Sequence, residues 1–254
     1  VVTAHGSDVP GYNPDRFRLL HVLLGPLWRT VVRGADLVIS PSRSLSRLIE
    51  RNLRGPYPLA VVPNGIERDW IEPSERKDPL VLVVCRLFER KGVQYLLRAL
   101  ARGSLPYEVH IVGDGPHRAE LERLAAQAPD RIRFHGWMEP GSDALLDLYR
   151  RASIFVFPSV AENFPISLLE AMLAGTAIVA TSLDACREVL GDAAAYFPPE
   201  DDVALRAILE RLAQDPAEQR RLGALARQRV LEHFTWDRVG ERYEEQLAAH
   251  RRGA

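Results

Sequence analysis

The chain has 254 residues, 46% of them hydrophobic and 26% charged, with a formal charge of −1 at pH 7. That is enough chain for one large α/β domain or two smaller ones, and so balanced a charge gives no global electrostatic case for nucleic acid or an acidic polymer as partner. The longest apolar run, about residues 19–28, is broken by His21, Gly25 and Pro26 and falls short of the roughly 20 residues of a spanning helix. Two distant cysteines, Cys85 and Cys186, stand without metal-ligand spacing; free thiols in a reducing, cytoplasmic compartment are expected.

The opening VVTAHG reads as a strand already under way, with no Met and no signal peptide, so an amino terminus cut from a longer protein is expected. A turn-rich loop follows, then an amphipathic helix over 15–33. It sets Phe17, Leu19, Leu20, Leu23, Leu24, Leu27 and Trp28 beside Arg16, Arg18, Arg29 and Arg33. Packing on its own sheet is the expectation; an interfacial helix at the inner face of a membrane is the alternative. Strand 36–40, helix 42–53 and strand 59–62 lead to the turn Pro63-Asn64-Gly65. The polar, Pro-bearing stretch 67–79 reads as a linker after a partial first domain, 1–66.

From 80 to 235 strands and helices alternate. Strands are expected at 80–85, 108–112, 131–135, 154–157, 177–180 and 194–197, and helices at 92–101, 117–128, 142–151, from Pro165 to Gly175, near Arg187 and at 202–215. Strands that are apolar and β-branched throughout suit a parallel sheet covered on both faces. Such a doubly wound sheet binds ligands outside the carboxyl ends of its strands. Helices over 217–233 and 236–251 close the chain.

The stretch AENFPISLLEAMLAG, residues 161–175, joins a strand to a helix and carries two acids. Pro165 suits the first helical turn and Gly175 the terminus, which places Glu162 in the strand-end loop and Glu170 on the helix, both able to look into the crevice. Either acid alone reads more readily as a solvated surface position. Arg86 follows strand 80–85 and Lys91 opens the next helix, as two cations closing on a diphosphate would; a solvated charge cluster is the plain alternative. Lysine is rare in this chain, Lys77 and Lys91 against 31 arginines among 33 basic residues. Gly113-Asp114-Gly115-Pro116 could bring backbone N–H groups to a phosphate, although a tight turn needs the same glycines. Gly136 and Trp137 could face a base, and His5 follows the first strand. There is no P-loop, no G-x-S-x-G elbow and no D-x-D, so no metal and no cofactor are expected.

Together these motifs resemble a bacterial family 4 (group 1) glycosyltransferase of the GT-B fold, with two Rossmann-type doubly wound domains, the first incomplete. The resemblance rests on His5-Gly6, Val62-Pro63-Asn64-Gly65-Ile66, Arg86 with Lys91, Gly113-Asp114-Gly115-Pro116, and Glu162-x7-Glu170 followed by Ala171-Met172 and Gly175. It implies a retaining, metal-independent transfer of a sugar from a UDP- or GDP-linked donor to a glycan or lipid-linked acceptor. It gives Arg86 and Lys91 to the diphosphate and Glu170 to the ribose. Glu162 and the backbone N–H groups of Asn163, Phe164, Pro165 and Ile166 fall to the donor sugar, as does His5 from the first domain. It also implies that the helix of 236–254 crosses back to the first domain. The sequence Asn163-Phe164-Pro165 departs from the Gly-Phe-Gly of many relatives, and 181–190 lacks their Gly-Gly. A donor-binding module without turnover and a nucleotide-sugar epimerase of the same fold are the competing readings.

Overall fold

The computed structural model describes residues 1–6, 8–12, 14–53, 57–128 and 131–253, without the side chains of 14–18 and 251–253. Ser7 and the side chains of Arg16, Phe17 and Arg18 therefore lie outside the described residues. The chain divides into two units, Val1–Gly65 with Trp236–Ala254, and Ile66–Thr235.

In the first unit three short parallel strands, β1 (Val2–Thr3), β2 (Val38–Ser40) and β3 (Leu59–Val61), pair in the order β1-β2-β3. Alternation along the strands separates two apolar faces. Val38 packs with Leu45 and Ile49 of helix α2 (Arg43–Leu53), whereas Leu37 and Ile39 pack with Val239 of the last helix, α10 (Trp236–Gly253). Thr3 Oγ1 and Tyr243 OH, 3.0 Å apart, tie α10 to β1.

Helix α1 (Pro14–Arg33) departs from expectation. It does not bury its leucines on the sheet: Val32 is its buried apolar contact, Trp28 is half-buried beside it, and Leu19 and Leu23 are 81% and 75% exposed. The reason lies in the pattern, since Trp28 and Val32 stand on one side of the helix and the leucines on the other.

The second unit is a six-stranded parallel sheet of order β6-β5-β4-β7-β8-β9. Its strands are β4 (Asp78–Val84), β5 (Glu108–Val112), β6 (Ile132–Gly136), β7 (Ala152–Phe157), β8 (Ala177–Thr181) and β9 (Ala195–Phe197). All six residues of β7 are buried, because both faces of the sheet are covered. Leu80, Leu82, Phe155 and Phe157 point into one core, with α5 (Asp143–Arg151), α6 (Ile166–Leu173) and α9 (Pro216–His233). Val81, Val83, Ile154 and Val156 point into the other, with α3 (Val93–Ala101) and α8 (Asp202–Gln214). Asp201 and Asp215 cap α8 and α9, their carboxylates accepting from Ala204 N and Glu218 N.

The stretch expected as a linker is built into this unit: Ile71 is fully buried, Trp70 packs on the core, and β4 already begins at Asp78. Lys77, between them, donates from Nζ to Arg150 O at 2.9 Å and Ala174 O at 2.7 Å. It thereby satisfies carbonyls at the ends of α5 and α6 that no helical N–H reaches. Burial, and then the nearby Arg227 guanidinium, push the Lys77 ammonium down to about 8 from 10.5. Between these values the unfolded chain holds a proton that the folded one has released, so this group adds stability as pH rises and loses it as pH falls through 8. In chemical denaturation, the stability of the native chain relative to Lys77→Met should therefore rise between pH 8 and 10, by about 1 kcal/mol per pH unit. A flat difference would show that Lys77 keeps its ordinary titration.

Candidate donor-binding crevice

The first strand of the second unit, β4, lies at the centre of its sheet, with β5 and β6 added on one side and β7, β8 and β9 on the other. The chain reverses its direction of travel between β4 and β7, and at such a switch point the loops leaving the strands diverge and open a crevice. Here the loops are 85–92 and 158–165.

These two loops are locked together. Val160 N donates to Arg90 O at 2.9 Å, and Thr181 Oγ1, from the end of β8, donates to Ser159 O at 2.6 Å. Gly92 sits at φ 72 with Pro158 O only 1.9 Å from where a Cβ would stand, so glycine is required on both counts. The scaffold brings Lys91 Nζ onto Glu162 Oε1, which also accepts from Ser159 Oγ at 2.6 Å. The two charged side chains are 18% and 8% exposed. Removing either would strand its partner in a poorly solvated place.

Eight residues on, Glu170 projects from α6. Its Oε2 accepts from Tyr149 OH at 2.7 Å, and the Trp70 side chain also hydrogen-bonds the carboxylate. Burial raises the Glu170 pKa above the carboxylate value, and these two donors oppose the rise. Helix α6 ends in a Schellman motif: Gly175, at φ 66, donates to Met172 O and Thr176 N to Ala171 O. Tyr149 and Trp70 escape a reading of the sequence. Tyr149 falls in a helical apolar stripe with Leu145 and Leu148 and reads as core, and its only signal is that a buried phenol needs a partner.

Arg86 is exposed, with its guanidinium 4.8 Å over the Phe88 ring and no ion pair among the described residues. It is a second cation beside Lys91, and one not neutralised by Glu162. Two expectations need correction. The N–H groups of Gly113 and Gly115 are not offered to a ligand, since they donate to Gly136 O and Asp114 Oδ1 at 2.7 Å each. These glycines serve close packing: a Cβ on Gly113 would lie 1.8 Å from Cys85 O, and one on Gly115 2.4 Å from Leu87 O. Pro165 precedes α6 as its N-cap residue and, lacking an N–H, contributes no donor. The Phe164 ring is buried edge-on against Phe234, 5.8 Å between centroids, a core contact separate from the backbone N–H on which the expectation rested.

Asn163 is buried, while Ile166 is 42% and Trp137 69% exposed. Gly136 closes β6 at φ 72, and His135 Nε2 lies 3.1 Å from His110 Nδ1. His5 lies on the first unit, where the Asp8 carboxylate accepts from His5 N at 2.9 Å and Gly6 N at 2.7 Å and so shapes the loop. Among the described residues no group of three His, Cys, Asp or Glu side chains is placed to hold a metal ion. A groove of about 870 Å³ runs past Lys77, Ser153 and Arg227, but it lies at the amino ends of the strands, away from the crevice.

A two-unit, parallel α/β architecture with acids and cations at the switch point defines a doubly wound class of protein, whose ligands bind outside the carboxyl ends of the strands. Residues 78–215 match the family described as "Glycosyl transferases group 1", and residues 1–70 match "Glycosyltransferase Family 4". The chain belongs to the family 4 (group 1) glycosyltransferases. It is 31% identical over 211 residues to an MMP alpha-(1->4)-mannosyltransferase of Mycolicibacterium hassiacum, which covers 80% of this chain and 51% of that protein. It is 34% identical over 192 residues to a phosphatidyl-myo-inositol mannosyltransferase of Mycolicibacterium smegmatis, covering 70% and 48%. The chain thus spans about half the length of these relatives. Among solved structures it resembles sucrose-phosphate synthase from Thermosynechococcus elongatus, with a TM-score of 0.78 at 25% identity over 98% of this chain and 68% of that one. It also resembles Anabaena HepE in complex with UDP and glucose, with a TM-score of 0.81 at 18% identity over 97% and 71%. These likenesses show the GT-B fold.

Without the Tyr149 hydroxyl, burial would dominate the Glu170 carboxyl. Tyr149→Phe should raise its pKa further, followed by carboxyl carbon NMR, and cost about 1–3 kcal/mol of stability. An unchanged Glu170 titration would mean that the hydroxyl does not support the carboxylate.

Proposed function

We propose that the protein transfers a sugar from a nucleoside diphosphate donor, UDP- or GDP-linked, to a glycan or lipid-linked acceptor, with retention at the anomeric carbon and without a metal. The observation that carries this reading is the meeting of Lys91 and Glu162 in the crevice between β4 and β7, beside the free cation Arg86 and with Glu170 one helical stretch away. The sugar-transferring relatives support it, and the whole protein's acceptor is part of the same proposal.

Breaking the bond between the anomeric carbon and the phosphate oxygen leaves its electron pair on the diphosphate. Charge therefore grows there during the reaction, and Arg86, Lys91 and the amino end of α6 are aimed at it. Cations fixed in advance stabilise that growing charge more than the ground state. The acceptor hydroxyl forms the new bond to the anomeric carbon and gives up its proton toward the departing phosphate. Glu170, held by Tyr149 and Trp70, is an acceptor pair suited to vicinal ribose hydroxyls. Glu162, released from Lys91 as the diphosphate arrives, is free to accept from sugar hydroxyls.

Calorimetric titration with UDP, GDP and ADP tests this. One diphosphate should bind saturably, at least about tenfold more weakly to Glu170→Ala, with affinity unchanged in His5→Ala on the other unit. Binding of none of the three, or binding indifferent to Glu170, would contradict the reading. Product formation only when an acceptor is supplied separates a transferase from an epimerase and from a module that merely binds.

A further inference from the structure

Every hydrogen bond that the Glu162 carboxylate accepts among the described residues falls on one of its two oxygens. Lys91 Nζ and Ser159 Oγ both donate to Oε1, Ser159 at 2.6 Å, and neither reaches Oε2. A carboxylate takes up to about four donors, so this crowding leaves one oxygen held and the other open. Ser159 is 1% exposed, and a hydroxyl that served only to shape its loop would bond backbone, as most side-chain donors do. Thr181, fully buried at the end of β8, is of that kind: its Oγ1 donates to Ser159 O at 2.6 Å. One residue on from Ser159, Val160 N donates to Arg90 O at 2.9 Å. The Ser159 backbone is thus pinned on one side to β8 and on the other to the loop that carries Lys91, while its hydroxyl goes to the acid.

The transferase reading asks Lys91 to leave Glu162 for the diphosphate. An acid free to rotate would follow its ammonium and cancel, at the phosphates, the charge that Lys91 brings. A donor fixed to the scaffold prevents this, because a hydrogen bond to an ionised acceptor is stronger than one between neutral groups. We propose that Ser159, anchored by Thr181, is a positioning residue that holds Glu162 by Oε1 when Lys91 departs, so that Oε2 stays available to hydroxyls of the donor sugar. Ser159 meets no reacting atom and acts only through Glu162. The inference deepens the transferase reading and rests on it.

Carbon NMR of the Glu162 carboxyl, assigned with Glu162→Gln, tests it in the native chain and in Ser159→Ala, each titrated with UDP and GDP. Without nucleotide the ion pair with Lys91 survives in Ser159→Ala, so the variant should fold and show one carboxyl signal. With a diphosphate bound, native Glu162 should keep a single sharp signal, whereas in Ser159→Ala it should broaden or move toward that of a solvated glutamate. Affinity for the bare diphosphate should change by less than about threefold, which a general loss of structure would not allow. The second variant, Thr181→Val, frees the Ser159 carbonyl but keeps its hydroxyl, and should broaden the liganded signal to a smaller degree. A Glu162 signal equally sharp and unmoved in the liganded native chain and both variants would overturn the proposal and leave diphosphate binding intact. Failure of both diphosphates to bind the native chain would overturn the transferase reading and this inference with it.

Discussion

Lys91 and Glu162 are 71 residues apart in the sequence and share a hydrogen-bonded ion pair, and much of the second unit is arranged so that they can meet. The central place of β4 sets one loop beside the other, Gly92 lets the first pass within contact of Pro158, and Ser159 steadies the acid. The pair is costly to keep where the two side chains are 18% and 8% exposed. A buried ion pair contributes little net stability against a well-packed apolar substitute. Under the proposed function its persistence is stored charge: each partner is held aligned for a diphosphate donor that takes Lys91 away from Glu162.

The same economy runs through the neighbouring groups. Glu170 is buried enough to resist ionisation, and Tyr149 and Trp70 restore its capacity to act as an acceptor. Arg86 stays at the surface, its guanidinium over the Phe88 ring. Burial pushes the thiols of Cys85 and Cys186, beside this charge, up to about 12, which favours their protonated form.

The second unit was legible because its strands are buried on both faces and its helices carry their own punctuation. Runs such as LVLVVC and SIFVF announce central parallel strands, and the acids, cations and glycines of the crevice fall at their ends. What escaped reading depends on long-range packing. Trp70 sits in a stretch polar enough to pass for a linker, and only the fold turns it toward Glu170. Gly113 and Gly115 look like a phosphate cradle in sequence and prove to be places where two backbones touch. Helix α1 has the periodicity of a packed helix, and periodicity alone does not say which of its sides the sheet will take.

Because Lys77 and Lys91 are the only lysines in the chain, the central claim can be put to one experiment. In protein labelled with carbon-13 at lysine Cε, UDP and GDP are titrated while both resonances are followed. The account predicts that one diphosphate shifts the Lys91 signal saturably as the amine exchanges Glu162 for phosphate, while Lys77, at the far end of the strands, stays still. A Lys91 signal indifferent to both diphosphates, or a response confined to Lys77, would contradict it.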